Sequence, residues 1–226
     1  MLERARIPKR YEHCDLANFE VDNYSAEPGG EVWDRSLAQA RLVVQGFVRN
    51  FPHVDDQGLL LMGPCGVGKT HLAVAALKEL VLRGHAGLYY DYRELLKEIQ
   101  ASYNPVSQTT EMDVLEPVLK ADLLLLDDLG SSKPSAWALE TVGHILNTRY
   151  NERRVTLITT NFLDPETLQR AQALLPSGEA VINAEDTLAD RVGQRIRSRL
   201  YEMCRTIEVF ARDYRKVIRH AGRLRS

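Results

Sequence analysis

From Gly58 onward the chain alternates short apolar runs with longer stretches whose apolar residues recur at helical spacing. The runs Gly58–Met62, Gly87–Tyr90, Asp122–Asp127, Val155–Thr160 and Thr206–Phe210 have the length and composition of strands buried on both faces of a parallel sheet. Between them, Thr70–Arg83, Arg93–Ser102, Ser135–Asn151 and Leu188–Met203 fit helices. Right-handed crossovers would stack these helices on both sides of the sheet. Upstream, residues 31–50 carry Val32, Trp33, Leu37, Val43, Val44, Phe47 and Val48 on the stripe of an amphipathic helix. Residues 1–30 read as an irregular arm that ends in the breaker run Glu27-Pro28-Gly29-Gly30. Residues 104–116 and 171–186 are polar and irregular and read as loops. The expected architecture is an α/β fold with a five-stranded parallel sheet between helices. Its expected parts are an N-terminal arm and helix (1–50), a core domain (51–211) and a basic tail (212–226).

Composition narrows this picture only in places. At 226 residues the chain suits one α/β domain with short extensions. No apolar h-region opens the sequence, and the longest apolar runs are of strand length, so a cytoplasmic protein is expected. Cys14, Cys65 and Cys204 are far apart, with no CxxC pair, which argues against a structural zinc site or a disulfide framework. The ends are basic: Arg4, Arg6, Lys9 and Arg10 at the start, and Arg212, Arg215, Lys216, Arg219, Arg223 and Arg225 at the finish. Such ends suit contact with nucleic acid, and equally suit a solvated terminus.

The chemistry concentrates in Gly63-Pro64-Cys65-Gly66-Val67-Gly68-Lys69-Thr70, which matches G-x-x-x-x-G-K-[ST] at every fixed position. A predicted strand precedes it and a predicted helix follows. The glycines let the backbone turn its N–H groups around a β-phosphate, and the helix N-terminus adds positive potential. Lys69 can reach the β- and γ-phosphates, and the Thr70 hydroxyl can bind Mg²⁺. ATP and Mg²⁺ are therefore the expected ligands. The Cys65 thiol reads as a small space-filler in the loop.

Leu123–Leu126 leads into Asp127-Asp128, two acids at the carboxyl edge of a predicted parallel strand, where ligands of α/β sheets bind. Asp127 is expected to hold Mg²⁺, through water, and Asp128 to polarise the attacking water. The run Val155–Thr160 ends at Asn161, placed to touch the γ-phosphate or the lytic water. Its other reading is turn chemistry before Phe162-Leu163-Asp164-Pro165.

The ordered set GPCGVGKTHLAVA, LLLLDDLG, RYNERRVTLITTNF and DRVGQRIRSRLYEMC, with the arm IPKRYEHCDLANFE, resembles the DnaC-type bacterial helicase loaders. These are P-loop proteins of the AAA+ superfamily, near the initiator DnaA and the transposition helper IstB. The resemblance spans about residues 5–220. IstB-type proteins usually carry Asp-Glu-Leu-Gly where this chain has Asp127-Asp128-Leu129-Gly130, which favours the loader branch. The resemblance implies that Asn161 is the sensor 1 residue. It also implies an arginine finger just before the last strand, acting on a neighbour's ATP in a ring or helical oligomer. Arg199 best fits that position, with Arg191 and Arg195, spaced by four on the same predicted helix, as rivals. The implied partners are a DnaB-type replicative helicase and single-stranded DNA.

The sequence departs from this pattern in two ways. About 16 residues follow the last predicted strand, too few for a C-terminal helical lid with its sensor 2 arginine. The chain also starts almost at the AAA+ arm, without the helicase-gripping domain that loaders usually carry. Loaders and initiators share an inserted helical element after the second strand that contacts single-stranded DNA. Here Arg93–Tyr103 takes that place, with Lys97 and Tyr103 as candidate contacts; the same residues also read as an ordinary amphipathic helix packed on Leu95, Leu96 and Ile99.

Overall fold

The computed structural model describes residues 2–21, 24, 30–52, 58–174 and 186–215. Five parallel strands, β1 (Gly58–Met62), β2 (Gly87–Asp91), β3 (Leu123–Asp127), β4 (Val155–Thr160) and β5 (Cys204–Glu208), lie in the order β2-β3-β4-β1-β5. The helices are α1 (Gly30–Asn50), α2 (Lys69–Leu82), α3 (Tyr92–Ser102), α4 (Glu111–Lys120), α5 (Ala136–Asn151), α6 (Pro165–Leu174), α7 (Leu188–Val192) and α8 (Gln194–Met203). Every residue of β1 and β3 is buried, as central strands covered on both faces require.

The period of two in the strands divides the interior into two cores. Leu59, Leu61, Leu123, Leu125, Leu157 and Tyr89 face α1 and α2. Leu60, Met62, Leu124, Leu126 and Ile158 face α3, α4, α5 and α8. The first core also takes in Ala5, Cys14, Leu16, Phe19, Val21 and Tyr24, so the arm buries side chains against α2. Two 3-10 turns, Leu2–Ala5 and Lys9–Tyr11, shape its start. Among the described residues no helix is long and apolar enough to cross a membrane.

Several expectations are corrected here. The loop expected at 104–116 contains the start of α4, whose Thr110 and Asp113 form a reciprocal capping box. Val114, Leu115 and Val118 pay for the internal Pro117 by packing into the second core. Much of the loop expected at 171–186 falls outside the described residues, but its first residues belong to α6, which starts on Pro165, the helix position where proline costs least. The last strand lies two residues earlier than expected. It pairs from Gly58↔Cys204 to Met62↔Glu208 and ends where β1 ends, while Val209 and Phe210 go on to fill the two cores.

The single helix expected at 188–203 is broken at Gly193, with φ 82° and ψ 150°, a conformation that suits glycine. Arg191 therefore stands on α7, apart from Arg195 and Arg199 on α8, and the three do not share one helical face. Most of the expected basic tail also lies outside the described residues, which end at Arg215.

Candidate nucleotide-binding site

Strand β1 delivers the chain into Gly63–Gly68, and α2 starts at Lys69. Gly66 and Gly68 have φ of 78° and 94°, which a side chain would strain. There is no room for one either: a Cβ would lie 1.9 Å from Asp213 Oδ1 at Gly66 and 2.6 Å from the Phe19 ring at Gly68. Gly68 caps α2 without a side chain. By contrast, Asp91, Thr110, Ser135 and Thr187 cap α3, α4, α5 and α7 with side-chain acceptors. The first N–H groups of α2 are thus left to an external acceptor at the positive end of the helix dipole, which fits a phosphate. Within the loop, Cys65 is exposed and Val67 is buried.

Lys69 is only 6% exposed. Its ammonium donates to Gly63 O (2.8 Å), Pro64 O (2.6 Å) and Asn161 Oδ1 (2.8 Å). Burial pulls its pKa down to about 8, against the opposing pull of Cys65, Asp128 and Asp127. Asn161 Nδ2 donates in turn to Asp128 Oδ1 (2.6 Å). A donor-only ammonium on one side and a carboxylate on the other fix the amide's orientation. The chain of contacts runs Lys69, Asn161, Asp128 and then Arg93, whose guanidinium lies 3.9 Å from Asp128 Oδ2.

The two acids differ. Asp127 is 2% exposed; its Oδ1 accepts from Thr70 Oγ1 (2.9 Å) and Thr159 Oγ1 (2.6 Å), and its Oδ2 from Tyr89 OH (3.0 Å). A serine-or-threonine hydroxyl beside a strand-end carboxylate is a hard oxygen donor set, and it fits Mg²⁺. Asp128 is half-buried and has a left-handed φ of 58°, tolerated by aspartate in turns. Thr159 Oγ1 accepts its N–H (2.8 Å), so one hydroxyl orients both acids. Burial, with Asp127 and Asp91 nearby, raises the Asp128 carboxyl above the ordinary range; Arg93 and Lys69 pull it back.

Sequence reading singled out neither Tyr89 nor Thr159. The signal was available in the strand period: both stand on the face of the sheet that carries Asp127. The role of Arg93 comes from tertiary structure, with no short motif to announce it. So does that of Arg197, whose Nε and NH2 hold Asp164 at 2.8 and 2.6 Å.

The candidate arginines are placed differently. Arg191 stacks 4.5 Å over the Phe162 ring, donates to Ser132 O (3.3 Å) and pairs with Asp186 (2.8 Å). Arg195 is exposed. Arg199 is half-buried, 5.7 Å from the Tyr150 ring, and its NH1 has no hydrogen-bond partner among the described residues. Away from these groups, Lys97 pairs with Glu94 at 3.0 Å. The half-exposed Tyr103 donates to Glu111 (2.6 Å) and stands edge-on to Trp137.

The family described as IstB-like ATP binding protein matches residues 35–219. The replicative helicase loader DnaC of Escherichia coli K12 is 28% identical over 144 residues, 64% of this chain and 56% of its own length. The chain thus spans little more than half of that relative. A crystal structure of the DnaC helicase loader superposes with a TM-score of 0.68 at 30% identity, covering 89% of this chain and 99% of that one. The replication initiator DnaA bound to AMPPCP and single-stranded DNA shares the fold, with a TM-score of 0.60 at 21% identity over 89% of this chain and 50% of that one. The chain is an AAA+ P-loop protein that belongs to the family of IstB-like ATP binding proteins, and within it to the DnaC type.

Proposed function

We propose that this chain is the ATPase module of a loader that places a DnaB-type replicative helicase on single-stranded DNA in the cytoplasm. The ATPase part of the reading is carried by the contact chain Lys69–Asn161–Asp128 beside the Thr70–Asp127 pair, and the loader part by the similarity to the replicative helicase loader DnaC. The Gly63–Thr70 loop takes the triphosphate, and Lys69 trades the loop carbonyls for β- and γ-phosphate oxygens. Thr70 and Asp127 hold Mg²⁺, which would neutralise phosphate charge. Asn161 and Asp128 orient the attacking water, and the Asp128 carboxylate polarises it. Hydrolysis is slow and serves as a switch.

Arg199 completes the site of a neighbouring subunit in a ring or helical oligomer. In its favour, Arg191 is paired with Asp186 of its own subunit, whereas Arg199 NH1 has no hydrogen-bond partner among the described residues; the exposed Arg195 remains its rival. Single-stranded DNA runs past α3 at Lys97 and Tyr103. The competing readings are a transposition helper, which draws on the family's name, and a nucleotide-switched interaction protein with little hydrolysis.

Pull-downs with ATP and with ADP, against the replicative helicase and against a transposase, test the choice. ATP-dependent capture of the helicase is expected; capture of the transposase alone would overturn the loader reading. Hydrolysis is tested separately. Asp128→Asn should keep ATP bound and slow its turnover by about 10²-fold or more; normal turnover would remove Asp128 from the mechanism.

A further inference from the structure

His13 and Cys14 follow the second 3-10 turn of the arm, and His71 lies on the first turn of α2, directly after Thr70. One donor atom from each of the three comes within 4.8 Å of the others. Cys14 Sγ is 3.9 Å from His13 Nε2, and the two imidazoles meet edge-on with centroids 6.1 Å apart. This is a thiol and two imidazoles from two separate segments, the donor set of a borderline-soft divalent cation.

We propose that His13, Cys14 and His71 form a Zn²⁺ site that clasps the arm to the helix carrying the phosphate loop. Ligand bonds of about 2.0–2.3 Å require donors roughly 3.3–3.7 Å apart in a tetrahedron. With donors no more than 4.8 Å apart, the observed set is looser than that by at most about 1.5 Å, within reach of side-chain rotation. His71 Nε2 lies 3.0 Å from Asp15 O. A backbone carbonyl is a usual outer partner of a ligating imidazole, and it leaves Nδ1 with the lone pair for the metal. Binding releases the Cys14 thiol proton to solvent as the sulfur–metal bond forms, and water takes the fourth position. Lys78 stands close by, bonded to Glu12 O and paired with Asp15; its charge is already countered, so the clasp does not face a bare cation. The absence of a CxxC pair does not bear on such a site, because its ligands come from positions 13, 14 and 71.

The test is a titration of the full, chelator-treated, nucleotide-free chain with Co²⁺, followed by Zn²⁺. One equivalent of Co²⁺ should give a near-ultraviolet thiolate charge-transfer band that Zn²⁺ removes, and Zn²⁺ should raise the melting temperature. The band should vanish in Cys14→Ser and persist in Cys65→Ser. His13→Ala and His71→Gln should each weaken Zn²⁺ at least about tenfold. His13 is exposed, so its replacement keeps the fold and the test remains decisive if Cys14→Ser does not fold. A band that survives Cys14→Ser, unchanged Zn²⁺ affinity in His13→Ala, or no binding at micromolar Zn²⁺ would each overturn the site.

Discussion

Lys69 and Arg149 are both buried cations, and among the described residues neither makes an ion pair. They sit at opposite edges of one parallel sheet. Arg149, 0% exposed, fills the edge where β3 and β4 begin. Its guanidinium donates to Thr156 Oγ1 (3.0 Å) and to Val118 O, Ala121 O and Val155 O at 2.8, 2.9 and 2.6 Å. A rigid fork of donors meets fixed carbonyls and a hydroxyl there, so the planar cation is part of the framework. Lys69, at the edge where the strands end, has a flexible stem and three partners, two of them carbonyls of a loop. Its contacts can be exchanged. Burial lowers the pKa of both groups, yet only one of them is poised to give up its partners. The difference lies in what surrounds each charge rather than in how deeply it is buried.

The largest effect that could break this contrast is Arg149→Ala. It should lose about 3–5 kcal/mol of stability, because several buried carbonyls lose their donors at once. Denaturant midpoints measure the loss, and the folded fraction should keep its ATP affinity. A parallel drop in affinity would show that the two edges are coupled.

Next in size is the effect of Arg199, a third cation that belongs to neither class. Arg199→Ala and Lys69→Ala proteins should each be nearly inactive alone, by on the order of 10³-fold in rate for the arginine. Mixed, they should regain turnover at junctions where an intact arginine meets an intact loop. No recovery in proven mixed assemblies would remove Arg199, and the same mixing with Arg191→Ala and Arg195→Ala would name its replacement.

Lys69→Ala should weaken ATP by about 1.5–3 kcal/mol, the range of a charge-assisted contact. It should leave the unfolding free energy undiminished, since a buried ammonium is removed. Equal ATP affinity in variant and parent would refute the assignment.

The smallest effect is one of pH. The Lys69 pKa is about 8 in the free protein, and bound phosphates would raise it. ATP affinity should then fall above pH 8, by up to about tenfold per unit, as binding must take up a proton. Stability of the free protein moves the other way. The folded pKa lies below the unfolded value of 10.5, so the unfolded chain binds more protons between about 8 and 10.5, and stability rises with pH across that window. A calorimetric titration at pH 7, 8 and 9 checks the first sign, and melting at the same values checks the onset of the second.

The strands β1, β3 and β4 and the phosphate loop were legible because their signals are local: a continuous apolar run, then glycines, a lysine and a threonine at fixed spacing. Helix α4 was hidden by Pro117, although Thr110 and Asp113 announced its start. The break at Gly193 was hidden because a lone glycine in a helical pattern is usually tolerated. For the candidate site, Asp127, Asp128 and Asn161 could be named from the strand ends that carry them, and Lys69 from the spacing of the glycine loop. The framework around them could not be, because Tyr89, Arg93 and Thr159 meet these residues only through strand pairing and helix placement. The Asp164–Arg197 pair, 33 residues apart, likewise has no local signature.

The bare Gly68 cap has a consequence for amide exchange. The amides that open α4 and α7 are closed by capping boxes at Thr110 and Thr187, and their deuterium uptake should be indifferent to nucleotide. The opening amides of α2, at Lys69, Thr70 and His71, have no such closure. Their exchange should run fast in the free protein and should slow if phosphate oxygens accept from them. One protein thus carries a label-free gauge of its own nucleotide occupancy, with two capped helices as built-in standards.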